Sequence, residues 1–528
     1  MVHIFDIPRE VRDLIYLQCV VSEGGYILDF NSNRLRCADG KRIDLAFMLT
    51  CKKIANETRG LALSSNILNF VAVCPSEQEH RAVAGRFGLA LTTLSQRRSH
   101  KLHQIYPDTL NIPDDIWRDI SEIEPKLAPY VELLQHRPNG WRVMDGASHM
   151  MPTIIERPEI GWPGTCGETP SVFRKFARSA LQVLLANKDR FEPEEFRQFE
   201  KGMLRWHETE LAGIVGVNPD AWEIPTTQSL DRYLRGMCPV TAAEISEQWE
   251  TPNQGFDQRL VKHHYSAAAA AVRFLRSLRR DSRLSIRKII LNEDRAAVAF
   301  PEAHGLGLIP HCQENPRLRV ERRVSMWRTV FRTQFDGRNI QVRPYDSNDG
   351  VWADSVSRPV ALWILEALEL EPAGMPPGAF TLTFEGDQKC SEIFRTVVQR
   401  DAAWQAAVDL SLERQILPPL SWVARRRDGW AHHTARDSKW HVLEGFPQAV
   451  QDIVAGKSIV KCNFDMGEIW DVEKLVEDRK DWTMSDWDQR WKRGFHVRFD
   501  PDPPSPKYLQ LLCDNAFDTN VPIDPAAF

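Results

Sequence analysis

The chain has 528 residues, 43% hydrophobic and 26% charged, which is the ordinary mixture of a globular protein. That length suits roughly two to four domains and excludes a collagen-like, coiled-coil or wholly disordered chain. A formal net charge of -5 gives no global attraction to nucleic acid or anionic membrane.

Residues 1-75 read as one unit. Its first segment, Met1 to Asp13, lacks a basic stretch followed by an apolar one, so no secretory signal is expected. Pro8 in a first turn with Glu10 behind it predicts a helix start. Val11, Leu14, Ile15 and Cys19 then recur at three- and four-residue spacings and give one apolar face. Gly24-Gly25 should stop that helix. Tyr26 to Phe30 and Arg34 to Cys37 read as two short strands around a turn. A second helix follows, with Phe47, Cys51, Ile54, Thr58 and Leu61 on one face, and Ile67 to Val73 is strand-like. The predicted order is helix, hairpin, helix, strand.

Residues 76-250 read as mainly helical, with 171-188 and 194-212 the clearest helices. Within them, 137-170 carries five prolines and five glycines between helical stretches, the composition of a long loop or linker. Residues 251-500 change rhythm. A helix over 257-280 leads into a strand at Ile286 to Leu291, and Phe380 to Phe384 precedes a helix near 389-410. A helix over 446-455 precedes a strand at Ser458 to Phe464, and another helix begins near 468. Strands alternating with helices predict an α/β body. Residues 501-528 are proline-rich and read as an extended tail.

Signals for chemistry are sparse. The ten cysteines are scattered without a CxxC pair, as expected of small buried hydrophobes in the cytoplasm or nucleus. The histidines lack HExxH or any convincing ligand spacing, so neither metal nor cofactor is expected. Ala455-Gly456-Lys457-Ser458 resembles the end of a P-loop, but the helix stands before it and the strand after, the reverse of that motif. Arginines cluster at 273-288, at 317-323 and at 425-427. Charge balance predicts that they pair with the acidic stretch 465-488 rather than with nucleic acid. Trp482, Trp487 and Trp491 are spaced as a packed helix face.

The most specific segment is Ile7-Pro8-Arg9-Glu10-Val11-Arg12-Asp13-Leu14-Ile15-Tyr16. It resembles the L-P-x-E-[IV]-R-x-x-I-Y opening of a large group of fungal F-box-like proteins. Leu49-Thr50-Cys51-Lys52-Lys53-Ile54-Ala55-Asn56-Glu57 is similar to that group's T-C-[RK]-x-I-x-x-E helix, and Ser65 to Phe70 to its S-x-N-x-x-x-F ending. The resemblance covers about 70 residues. It implies a docking module for the Skp-type adaptor of a cullin–RING ubiquitin ligase, with the rest of the chain recruiting a substrate. On that reading Ile7, Pro8, Val11, Leu14, Ile15, Cys51 and Ile54 form the partner-binding set. The same apolar face would equally serve as core holding the unit to the body.

The sequence therefore predicts a mixed, helix-rich α/β protein, with an F-box-like helix-hairpin-helix-strand unit on a larger α/β body. A non-catalytic interaction role leads. A stand-alone scaffold protein, or an enzyme whose site is assembled from dispersed residues, are the alternatives.

Overall fold

The computed structural model describes residues 4–103, 105, 110–135, 166–201, 211–251, 259, 261–332, 350–417, 441–494, 497–508, 510–511 and 514. The linker expected at 137-170 and the tail expected at 501-528 lie largely outside them, as do Arg425 to Arg427. The architecture is mixed α/β, rich in helix and organised on a mostly parallel seven-stranded sheet.

The chain opens with helix α1 (Arg9–Val20), the hairpin β1 (Tyr26–Asp29) and β2 (Arg34–Cys37), helix α2 (Lys52–Glu57) and strand β3 (Ile67–Val71). Val21 turns extended and ends α1. Gly24 and Gly25 follow, both at φ 75°. A Cβ on Gly25 would stand 2.3 Å from the Ile67 carbonyl oxygen, so glycine is what lets the start of β1 lie against β3.

A helical insertion separates β3 from the next strand. Its longest members are α3 (Gln78–His103) and α4 (Pro170–Ala186), the latter capped by the Thr169 hydroxyl, which accepts from the Val172 N–H. They share an apolar core of their own, containing Phe87, Leu94, Trp117, Phe176, Leu181 and Ile214. Of the predicted helix over 194-212, Pro193–Lys201 and Leu211–Gly216 are helical, and 202-210 lie outside the described residues.

Helix α5 (Ala267–Ser277) begins where Ser266 Oγ accepts from Ala269 N–H at 2.9 Å, well inside the predicted 257-280. It leads to β4 (Lys288–Glu293), β5 (Arg319–Ser325) and β6 (Val351–Trp352). Then come α6 (Ser357–Leu368), β7 (Phe380–Glu385), α7 (Gln399–Glu413), α8 (Phe446–Val454), β8 (Val460–Cys462) and β9 (Arg498–Phe499). The sheet order is β2-β1-β3-β4-β5-β7-β8, parallel throughout except for the β1–β2 hairpin. The strands of residues 1-75 thus continue the sheet of the body, with Ile67 opposite Lys288 and Val71 opposite Asn292.

Strand alternation gives the sheet two unlike faces. One carries Leu68, Phe70, Ile289, Leu291, Val320, Leu382 and Phe384, which join α5, α6 and α8 in the main core. The other carries the partly exposed Asn69, Lys288, Asn292, Glu321, Arg323, Thr381 and Thr383, with Ile290 buried among them. The three tryptophans predicted to pack do so. Trp487 meets Trp404 and Trp482 at ring-centroid distances of 5.0 and 5.4 Å, and the Trp491 Nε1–H donates to Asp401 at 2.9 Å.

Candidate functional site

Helix α1 has two working faces, separated by the roughly 100° step between successive residues. Arg12, Tyr16 and Val20 point inward and are buried. Val11, Leu14 and Ile15 point the other way, with 44%, 64% and 36% of their surface exposed. The apolar periodicity read from the sequence is therefore the outer face, and α1 is held to the protein by a different set of side chains.

That inner set is largely polar. The Arg12 guanidinium donates to both oxygens of Glu57, Nη2 to Oε1 at 2.8 Å and Nε to Oε2 at 3.1 Å. Tyr16 donates its hydroxyl proton to Glu57 Oε2 at 2.8 Å. The hydrogen bonds from Arg12 hold the Glu57 carboxyl down to about 2, against the opposing effect of burial. Asn66 closes the other end of the unit: its Oδ1 accepts from Ser22 N–H, and its Nδ2 donates to the carbonyls of Val20 and Ala62. Three separated sequence blocks thus meet through Arg12, Tyr16, Glu57 and Asn66.

The remaining members of the partner-binding set divide. Pro8 and Cys51 are exposed and Ile7 is half-buried. Cys51 caps α2, its sulfur accepting from the Ile54 N–H at 3.5 Å. Ile54 is 5% exposed and belongs to the interior. The neighbouring turn adds two apolar residues the sequence reading left out, Leu45 and Leu49, the latter 77% exposed. Phe47, between them, packs on Tyr16 at 5.5 Å between ring centroids and so brings this turn beside α1.

A second polar assembly lies at the end of β4. Glu293 and Arg322 form an ion pair at 2.7 Å with both side chains 1% exposed. Glu293 also accepts from the Ala267 and Ala268 N–H groups at the start of α5, where the helix dipole favours a carboxylate. Ser266 Oγ lies 2.7 Å from His304 Nδ1, and His304 Nε2 lies 2.7 Å from the Ala299 carbonyl. The carbonyl accepts a hydrogen bond from Nε2–H, which leaves Nδ1 as acceptor for the Ser266 hydroxyl. Burial pushes the His304 imidazole down to about 3, so it stays neutral. Ala299 and Phe300 both have positive φ, 67° and 61°, and the Arg174 guanidinium lies 4.0 Å from the Phe300 ring. Nearby, Glu366 accepts from the Ser171 N–H and hydroxyl at 2.8 and 2.6 Å. Burial outweighs the Arg174 charge and raises the Glu366 carboxyl to about 7.

These groups have the types and perturbations of a catalytic centre, but they are spent on one another. Ser266 is fully buried, and its oxygen already caps α5. A shallow hollow of about 250 Å³ elsewhere, against α7 and α8, is lined by Gln399, Pro447, Ile469 and Trp470 and contains no titratable side chain. Among the described residues no cluster of three or more His, Cys, Asp or Glu is placed to hold a metal. Nor, among them, is any helix long and apolar enough to cross a membrane. Gly456 turns from α8 into β8, so the P-loop-like segment has the reversed order its sequence predicts.

Among the described residues, the basic runs at 273-288 and 317-323 do not pair with the acidic stretch 465-488 as charge balance predicts, and Arg425 to Arg427 lie outside them. Arg276 meets Asp220, Arg283 meets Glu314 and Arg59 meets Asp281. The acidic stretch 465-488 is served instead by Arg395, Arg414, Lys480 and Lys492. Strand order explains this, since β4 and β8 are separated by β5 and β7. No family model, no curated protein and no solved structure matches the chain.

Proposed function

We propose that the protein is a non-catalytic interaction protein of the cytoplasm or nucleus. Its N-terminal unit docks the Skp-type adaptor of a cullin–RING ubiquitin ligase, and its body receives the protein to be modified. The observation that carries this reading is the outward face of α1: Val11, Leu14 and Ile15 are exposed while the helix is anchored by Arg12, Tyr16 and Val20. An apolar helix face with a separate anchor is the form a helix-binding partner needs. Pro8, Ile7 and Cys51 stay within the docking set, Leu45 and Leu49 join it, and Ile54 leaves it.

The deciding variant is Leu14→Asp with Ile15→Asp. Both positions are exposed, so the melting temperature should stay close to that of the wild type, while capture of a purified Skp-type adaptor is lost. A wild-type chain that ignores the adaptor removes the ligase reading. Binding that survives the double substitution moves the docking site off α1.

A further inference from the structure

The second face of the sheet is unusual for its topology. Parallel sheets occur almost only with both faces covered, and their strands read as continuous apolar runs. Here β5 reads Arg319-Val320-Glu321-Arg322-Arg323-Val324-Ser325, with Val320, Arg322 and Val324 buried and the alternate residues partly or fully exposed. The register sets those alternate residues in rows across the strands. One row runs Arg36, Ile27, Asn69, Ile290, Glu321 and Thr381, crossing six of the seven strands. At about 4.8 Å per strand it is roughly 24 Å long.

The face has two halves. On β1 and β3, Ile27, Ile67 and Val71 form a half-exposed apolar strip outside the main core. On β4, β5 and β7, a chain of charges runs from Lys288 to Glu321 at 3.1 Å, from Glu321 to Arg323 at 2.7 Å and on to Glu385 at 3.9 Å. Lys288 and Glu385 keep 44% and 42% of their side-chain surface exposed, so this network is open to solvent. Arg34, Arg319 and Lys461 are exposed at the margins and pair with no carboxylate among the described residues. Arg319 is held in place, its Nη1 donating to the Pro316 and Leu318 carbonyls at 2.7 and 2.9 Å.

We infer that this open sheet face is a docking surface for an acidic protein segment that also carries apolar side chains. Its carboxylates meet Arg34, Arg319 and Lys461, and its apolar side chains cover the Ile27, Ile67 and Val71 strip. Charge complementarity selects the partner, because the three unpaired cations surround a network already balanced internally. Nucleic acid fits less well. Among the described residues the face presents no aromatic side chain on which a base could stack. This surface is independent of α1 and stands whether or not an adaptor binds there.

The test uses the full chain, fluorescently labelled, on two bead-bound pools of short peptides. One pool mixes Asp and Glu with Val and Leu, and the other replaces the acids by Asn and Gln. Retention on the acidic pool should exceed that on the amide pool by about tenfold, and should fall as salt rises from about 50 to about 300 mM. The variant Arg34→Gln, Arg319→Gln, Lys461→Gln breaks no internal ion pair and should bring retention down to the amide level. Thr383→Trp blocks the middle of the face without removing a charge, and carries the test if the triple variant fails to fold. Equal retention on both pools, or retention unchanged in the folded variants, overturns the proposal. Displacement of the chain by a single-stranded oligonucleotide at lower concentration than by free acidic peptide overturns it in favour of nucleic acid.

Discussion

Arg12 and Glu57 face each other across 45 residues of sequence and share two hydrogen bonds, with Tyr16 donating a third to the same carboxylate. This contact joins α1 to α2 without using the apolar residues that dominate the α1 pattern. The acid–base pair supplies the attachment, and the apolar face is left over.

The pair should make the N-terminal unit acid-sensitive. Glu57 titrates near 4.5 when unfolded and near 2 in the fold. Its contribution is therefore complete above about pH 4.5 and is lost as pH falls through about 2. Glu57→Gln should lower stability at pH 7 and leave the difference from wild type near zero at pH 2. Paired urea titrations across that range measure it.

Exposure along the docking set predicts a sharp contrast between neighbours in the motif. Leu14→Ala should change stability by no more than about 0.5 kcal/mol. Ile54→Ala empties a packed site and should cost about 2–5 kcal/mol. Equal losses in denaturant titration would place Leu14 in the core and remove the basis for docking.

Glu366 has the opposite linkage to Glu57. Its folded value, about 7, lies above the unfolded one, so the fold holds a proton that the unfolded chain releases between about pH 4.5 and 7. Its protonated form stabilises fully below about 4.5, and that contribution disappears as pH rises through 7. Glu366→Gln keeps groups for Ser171 without the charge. It should gain on the order of 3 kcal/mol at pH 8 relative to its effect at pH 4.5. Thermal melts at the two pH values report the difference.

The Glu293–Arg322 pair tests whether the buried polar assembly is structural. Arg322→Met leaves a buried carboxylate with only its helix N–H partners and should cost about 3–5 kcal/mol. Adding Glu293→Gln removes that charge and should restore part of the loss. A double-mutant cycle in urea measures the coupling.

Much of the fold was legible where pattern and environment agree. The helix-hairpin-helix-strand order of residues 1-75 follows from caps, glycines and alternation. Strand β7 follows from Phe380, Leu382 and Phe384, alternate residues that are all buried. Strand β5 was hidden, because three of its seven residues are arginine and one is glutamate, so it read as part of a basic run. Arg319, Glu321 and Arg323 lie on the more exposed side of the sheet while Arg322 is buried against Glu293, a division set by topology that no local window contains. The α1 periodicity identified an apolar face but not its direction. The signal that would have settled this was the polar set Arg12, Tyr16 and Glu57, whose types demand partners. The assembly around Glu293 and His304 draws on separate elements, and its residues have no common spacing.

The sheet also delays assembly during synthesis. Strand β3 leaves the ribosome early, yet its neighbour β4 begins only at Lys288. Roughly 200 residues intervene, on the order of 10–40 s of elongation. During that interval Leu68 and Phe70 have β1 on one side but no β4 on the other and no α5 above them, since α5 lies in the same late segment. The N-terminal segment must wait as a partly exposed intermediate, held by the Arg12, Tyr16 and Glu57 contacts, by Asn66 and by the pairing of β1 with β3. Nascent chains truncated before Lys288 should therefore be the ones that recruit chaperones, and those extending past Glu293 should release them.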